Sequence, residues 1–255
     1  MTSFAHRLDR SVVIRATPAV VFRYFTDTVR WASWWGAGST IDPRPGGRVL
    51  IRYPGGIEVA GEVLELEEPR RLVFTYGFVS GTPIPAGSSV VTIRLEPSRD
   101  GTELHLSHAF QEAAVRDEHV QGWRYQLGVF SSVVTSEVNG QAERVVDAWF
   151  DAWAETDVAE RGRRLAAIAV PGVRFSDRFG VTDGIDDLLP HVSAAQRFMP
   201  GVRLTRTGTI RQSQGVVLAD WIARAAEAGE RGRGTNVFIM DPEGRIESVT
   251  GFWSL

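Results

Sequence analysis

Two carboxylates in the second half of the chain could do acid–base work. In Val173-Arg174-Phe175-Ser176-Asp177, alternation puts Asp177 on one strand face with Val173 and Phe175. If that face is inward, Asp177 is a carboxylate in an apolar pocket, where desolvation raises its pKa towards a useful value. Asp220 shares a strand face with Arg224, and such a pair can hold water or an oxyanion. The other face of that strand carries Ala219 and Trp221, so Asp220 and Trp221 cannot both point inward. In the first half, Leu104, Leu106, His108 and Phe110 recur at period two. This sets an imidazole among apolar neighbours, as an acid/base or as a hydrogen-bond donor to a ligand. His191 lies off the apolar stripe Ile185, Leu188/Leu189, Val192 and reads as a rim or interface residue. His105 and His108 occupy opposite strand faces and cannot chelate one metal, and no HExxH or Asp/His cluster has ligand spacing. No metal and no cofactor is expected.

Composition narrows the chemistry further. The chain has no cysteine, which excludes disulfides, thiolate nucleophiles and Cys-type zinc sites. Every basic residue is arginine, which excludes Schiff-base chemistry and a lysine base. A net charge of −3 argues against nucleic acid as a partner. No run approaches the roughly 18–20 apolar residues of a membrane helix, and the first residues lack the apolar stretch of a signal peptide. A cytoplasmic location without membrane attachment is expected. A length of 255 residues allows one large domain or two smaller ones.

The elements that must position these residues follow from periodicity. A strand is expected over 8–15, and Thr17-Pro18 then opens a helix, Thr as cap and Pro at the first helical position. Trp31, Trp34 and Trp35 recur at i, i+3, i+4 in a second short helix over 28–35. Strands follow over 48–53, 57–66, 71–78, 88–95 and 102–110, the last after the Asp100-Gly101 turn. A long amphipathic helix over 112–134 carries Val120, Trp123, Leu127, Phe130 and Val134. This order describes an α+β helix-grip arrangement, a curved sheet wrapped on a long helix. The segments VVIRATPAVVFRYFTD, WASWW, PGGRV, GEVLELEEPRRLVFTY, SSVVTIRLEPSRDGTELHLSHAF and GWRYQL resemble the bacterial heat-shock-protein-90 ATPase activator-like family of the START/SRPBCC superfamily. The resemblance runs over roughly residues 8–134 and implies a deep, mainly hydrophobic cavity in a domain of residues 1–136. Its expected lining is Trp35, Phe74, Tyr76, His108 and Trp123.

A small, polar stretch around Thr135-Ser136-Glu137 and Asn139-Gly140 reads as a linker. Helices then carry Val145, Val146, Trp149, Phe150 and Trp153, and residues 161–168, before Pro171-Gly172 breaks the chain. A strand over 173–177, a helix over 185–199 with a kink or a new helix start expected at Pro190, and strands over 202–211, 216–225, 235–240 and 245–253 complete the second half. That order describes a cone-shaped α+β barrel. VDAWFDAWAETDVAERGRRLA, GVRFSDRFGVTDGIDDLLPHV and GTNVFIMDPEGRIESVTGFW resemble the SnoaL-like branch of the nuclear transport factor 2-like superfamily, over a domain of residues 137–255. The resemblance implies a pocket for a polyketide-, lipid- or steroid-like molecule, and in its enzymes an Asp or His deep in the cone. Asn236 stands where that pattern more often has Asp, and Asn can only hydrogen-bond. The expected lining here is Trp149, Trp153, Phe175, Trp221 and Asn236, with Asp177 and Asp220 as the catalytic candidates.

Three functions follow. The first is binding of a small hydrophobic ligand in one or both cavities. The second is a cyclase- or isomerase-type enzyme using Asp177. The third is a protein-docking role, a homodimer joined through an open sheet face.

Overall fold

The computed structural model describes residues 4–225 and 229–254. The chain folds as two units, Met1–Thr135 and Ser136–Leu255.

In the N-terminal unit, period-two alternation of apolar residues builds an antiparallel sheet. Its strands are β1 (His6–Ile14), β2 (Thr40–Ile41), β3 (Arg48–Arg52), β4 (Glu58–Glu67), β5 (Arg71–Tyr76), β6 (Ser89–Ser98) and β7 (Gly101–Phe110). They lie in the order β1-β7-β6-β5-β4-β3-β2. Two short helices, α1 (Pro18–Arg23) and α2 (Thr28–Trp35), separate β1 from the rest, and the long α3 (Ala113–Val138) follows β7. Pro18 opens α1 as its spacing predicts, but the Thr17 side chain makes no capping bond. At α2 the cap is Asp27, whose carboxylate accepts the Arg30 N–H at 2.9 Å. Leu104, Leu106, His108 and Phe110 all face inward on β7. The buried side of α3 is shifted from the expected stripe. His119 and Gln126 are buried with Trp123, Leu127, Phe130 and Val134, while Val120 is only half-buried. Trp31, Trp34, Phe25 and Phe130 interlock by edge-on and stacked ring contacts, so much of the interior is filled by aromatic side chains.

The C-terminal unit opens with α4 (Ala142–Ala154) and α5 (Val158–Ile168). The strands β8 (Ala169–Asp177), β9 (Gly180–Asp183), β10 (Val202–Ser213), β11 (Val216–Ala225), β12 (Gly229–Met240) and β13 (Ile246–Ser254) form one sheet, with α6 (Ile185–Phe198) between β9 and β10. Their order is β10-β11-β12-β13-β8-β9; β13 and β8 pair in parallel and the other neighbours antiparallel. Several expectations change: Thr135-Ser136-Glu137, read as a linker, lie within α3, which runs on to Val138. The strand at Val173 begins earlier, at Ala169, and passes through Pro171-Gly172, where its register against β13 shifts. β9 is an additional strand, formed by the chain turning back at Asp177. Helix α6 runs through Pro190 as one element, with no new helix start there; the proline is exposed, and the Asp186 carbonyl goes without its intrahelical N–H. Among the described residues no helix is long and apolar enough to cross a membrane.

Candidate functional site

In the C-terminal unit, the last turn of α4, the end of β8, the C-terminal half of α6, the start of β10 and the end of β13 line a cavity of about 560 Å³. That size falls within the range of small-molecule pockets, roughly 300–1,000 Å³. Trp153, Phe179, Phe198, Met199, Val202, Leu204 and Trp253 make an apolar wall, and Ala194 and Ala195 leave the room. Phe198 and Phe179 are largely exposed and form an apolar rim.

Asp177 and His191 bring ionisable chemistry into this wall. Asp177 ends β8, and its Oδ1 accepts the backbone N–H groups of Phe179 (2.8 Å) and Gly180 (3.1 Å). This turn chemistry is what starts β9. Oδ2 faces the Trp253 indole N–H at 3.4 Å and keeps acceptor capacity. His191 packs between Trp153 (ring centroids 6.0 Å) and Phe175 (5.4 Å) and makes no hydrogen bond to a described residue. Gly180 closes on its other side: a Cβ there would lie 3.1 Å from His191 Cε1.

The α6 wall is fixed by Arg161, fully buried on α5. Its Nε donates to the Glu155 carbonyl, Nη1 to the Leu189 carbonyl and Ser193 Oγ, and Nη2 to the Glu155 carbonyl and Gln196 Oε1. All five N–H groups are thereby used. Burial pushes the guanidinium pKa down, and Glu155 and Asp157 oppose that. Gln196, which lines the cavity, in turn donates to the Trp153 carbonyl at 2.8 Å.

Of the residues expected here, Trp153 and Asp177 line the cavity. Trp149, Phe175 and Trp221 form the packed core behind it. Asn236 is also buried; its Oδ1 accepts the Trp221 indole N–H at 2.9 Å, so it holds a core tryptophan. Asp220 is corrected. Val217, Ala219, Trp221 and Ala223 face inward on β11, which turns Asp220 outward. There it pairs with Arg211 (3.0 Å) and accepts from Thr235 Oγ1 (2.6 Å), rather than meeting Arg224. His191, expected at a rim, lines the cavity with Asp177. The spacing His191, Ala194/Ala195, Phe198 marks that face of α6, with small residues where a guest needs space.

In the N-terminal unit, His108 is committed to structure. The Trp123 indole N–H donates to its Nδ1 at 2.9 Å, so Nε2 carries the proton and donates to Ser89 Oγ at 2.8 Å. Ser89 passes the relay on to the Tyr76 carbonyl. Both ring nitrogens are spent on these bonds, which leaves neither for a ligand. Burial, reinforced by His119, holds the His108 pKa well below the usual imidazole range. Tyr76 and Trp123 pack edge-on against it, with ring centroids 5.0 and 5.8 Å away, and Trp35 and Phe74 are also buried. The Tyr53 and Tyr76 hydroxyls lie 3.3 Å apart. Burial pushes Tyr53 up to about 12, against the lowering effect of that hydrogen bond, and raises Tyr76 well above its ordinary value.

Residues 15–135 match the family described as Activator of Hsp90 ATPase homolog 1-like protein. No curated protein matches the chain. Solved structures similar to part of it include an AHSA1-like protein from Rhizobium etli, 31% identical, with 51% of this chain and 81% of that one covered at a TM-score of 0.42. Another is a putative isomerase of the SnoaL-like family from Agrobacterium tumefaciens, 23% identical, with 46% and 99% covered at 0.43. The Aha1 dimer of Colwellia psychrerythraea is 16% identical, with 48% and 90% covered at 0.42.

Proposed function

We propose that the chain comprises two domains, residues 1–136 and 137–255, the second SnoaL-like, and that the second binds a small hydrophobic molecule as carrier, sensor or sequestration protein. The observation that supports this is the cavity of about 560 Å³, walled by aromatic and aliphatic side chains and carrying few polar groups. The ligand is polyketide-, lipid- or steroid-like: mainly apolar, with a polar group for the Asp177–His191 end. N-phenyl-1-naphthylamine, an apolar fluorophore, tests it on the full chain. The expected result is one-to-one binding that Ala195→Trp weakens at least tenfold by filling the cavity. Equal affinity in the two proteins overturns the proposal.

A second reading is an isomerase- or cyclase-type enzyme. It is favoured by the presence of a carboxylate and an imidazole in the wall of one cavity. In that reading Asp177 Oδ2 takes a proton from carbon next to a substrate carbonyl, and His191 hydrogen-bonds the oxygen on which charge develops.

A further inference from the structure

The mouth of the C-terminal cavity holds apolar side chains out into water. Phe198, the last residue of α6, is 86% exposed, and Phe179, in the turn from β8 to β9, is 66% exposed. Val181, on the edge strand β9, is 57% exposed. An arginine precedes each phenylalanine, Arg178 before Phe179 and Arg197 before Phe198. The Arg178 guanidinium lies over the Phe179 ring, 5.3 Å from its centroid. Both arginines are exposed, and neither meets a carboxylate among the described residues. Asp177 is the only carboxylate in the cavity wall, and it is turned to the Phe179 and Gly180 N–H groups and to Trp253.

Protruding rings beside unneutralised guanidinium groups match the boundary of a lipid leaflet. There a ring enters the acyl layer while the cation stays with the headgroup phosphates. A protein partner fits less well. A stable protein interface covers about 800 Å² of each partner, and three protruding side chains are too few for its core. A fluid bilayer needs no complementary shape. An apolar guest also crosses water poorly, so the cavity fills most readily from an apolar phase touching its mouth. On the reading of this cavity as an apolar binding site, we propose that its rim docks on a bilayer carrying anionic lipids and exchanges the guest there. Such contact needs no spanning helix, and it revises the expectation of a chain without membrane attachment. Two rings and two cations make a reversible contact, not an anchor.

Phosphatidylcholine vesicles, with and without about one third phosphatidylglycerol, test this by co-sedimentation with the guest-free full chain at low salt. The chain should partition at least tenfold more strongly to the anionic vesicles. Each arginine at an anionic leaflet strengthens partitioning about fivefold, so Arg178→Gln with Arg197→Gln should lose roughly 25-fold. Phe198→Ser should lose several-fold on both compositions. Neither arginine lines the cavity, so the double variant should keep its affinity for N-phenyl-1-naphthylamine, measured without vesicles, within twofold. No sedimentation, equal sedimentation with the two compositions, or an unchanged double variant overturns the proposal. A chain that is dimeric in light scattering and monomeric as Phe198→Ser carries a second copy on the rim, which also overturns it. Should the double variant fail to fold, the wild-type chain decides alone: salt must release it from the anionic vesicles, and retention overturns the proposal. Vesicle binding by a chain that takes no N-phenyl-1-naphthylamine defeats the cavity reading and leaves the docking surface standing.

Discussion

Acid should loosen the N-terminal unit through His108. An unfolded histidine titrates near 6.5, whereas burial and neighbouring His119 hold folded His108 well below that. Its two nitrogens are committed, one accepting from Trp123 and one donating to Ser89, so protonation must break the first bond. The sign follows from the depressed folded value. Below pH 6.5 the unfolded chain takes up a proton that the folded chain refuses, so stability present above 6.5 is lost as pH falls. For a histidine that stays neutral when folded, the loss between pH 7 and pH 5 is about 2 kcal/mol. His119, also lowered chiefly by burial, acts in the same direction. Hydrogen exchange of the β7 amides at the two pH values, corrected for intrinsic rates, reads the opening free energy of this unit alone. His108→Phe keeps a ring in the site and removes the titrating group. Its loss between pH 7 and pH 5 should be smaller than that of the wild type by about 2 kcal/mol. Equal losses in the two proteins would refute the reasoning.

Arg161→Leu removes five donors and leaves Gln196 Oε1 without its guanidinium partner. It should destabilise the C-terminal unit by about 3 kcal/mol in denaturant titration, and a change under 1 kcal/mol would show that the network does not hold α6. The enzyme reading makes its own claim on Asp177. If the cavity is catalytic, the protein accelerates exchange of the α-protons of 2-tetralone into deuterated water, followed by NMR. Asp177→Asn should then abolish exchange while leaving affinity for N-phenyl-1-naphthylamine within about threefold, and exchange that survives the substitution removes Asp177 as the base.

Much of the N-terminal sheet was legible in the sequence because alternation fixes which residues share a face. The inward row Leu104, Leu106, His108, Phe110 needed no tertiary information. What alternation leaves open is which face is inside when both carry candidates. On β11 the choice between Asp220 and Trp221 is made by the neighbouring strand, where Asn236 accepts the Trp221 indole N–H and Thr235 meets Asp220. Pro171-Gly172 reads locally as a breaker, yet parallel pairing with β13 carries β8 through it. β9 is too short for a periodic signal, and the carboxylate of Asp177 folds it back. His191 was illegible for a related reason. Its helix buries Leu188 and Val192 on the core side, and only the approach of β8, β10 and β13 makes the adjoining strip a cavity wall.

The central claim is that the C-terminal cavity takes an apolar guest. A crystal structure of the full chain grown with N-phenyl-1-naphthylamine tests it most directly. The account predicts the fluorophore between Trp153, Met199, Leu204 and Trp253, with its amine towards Asp177 and His191. The same fluorophore bound elsewhere, with this cavity unchanged, would contradict it.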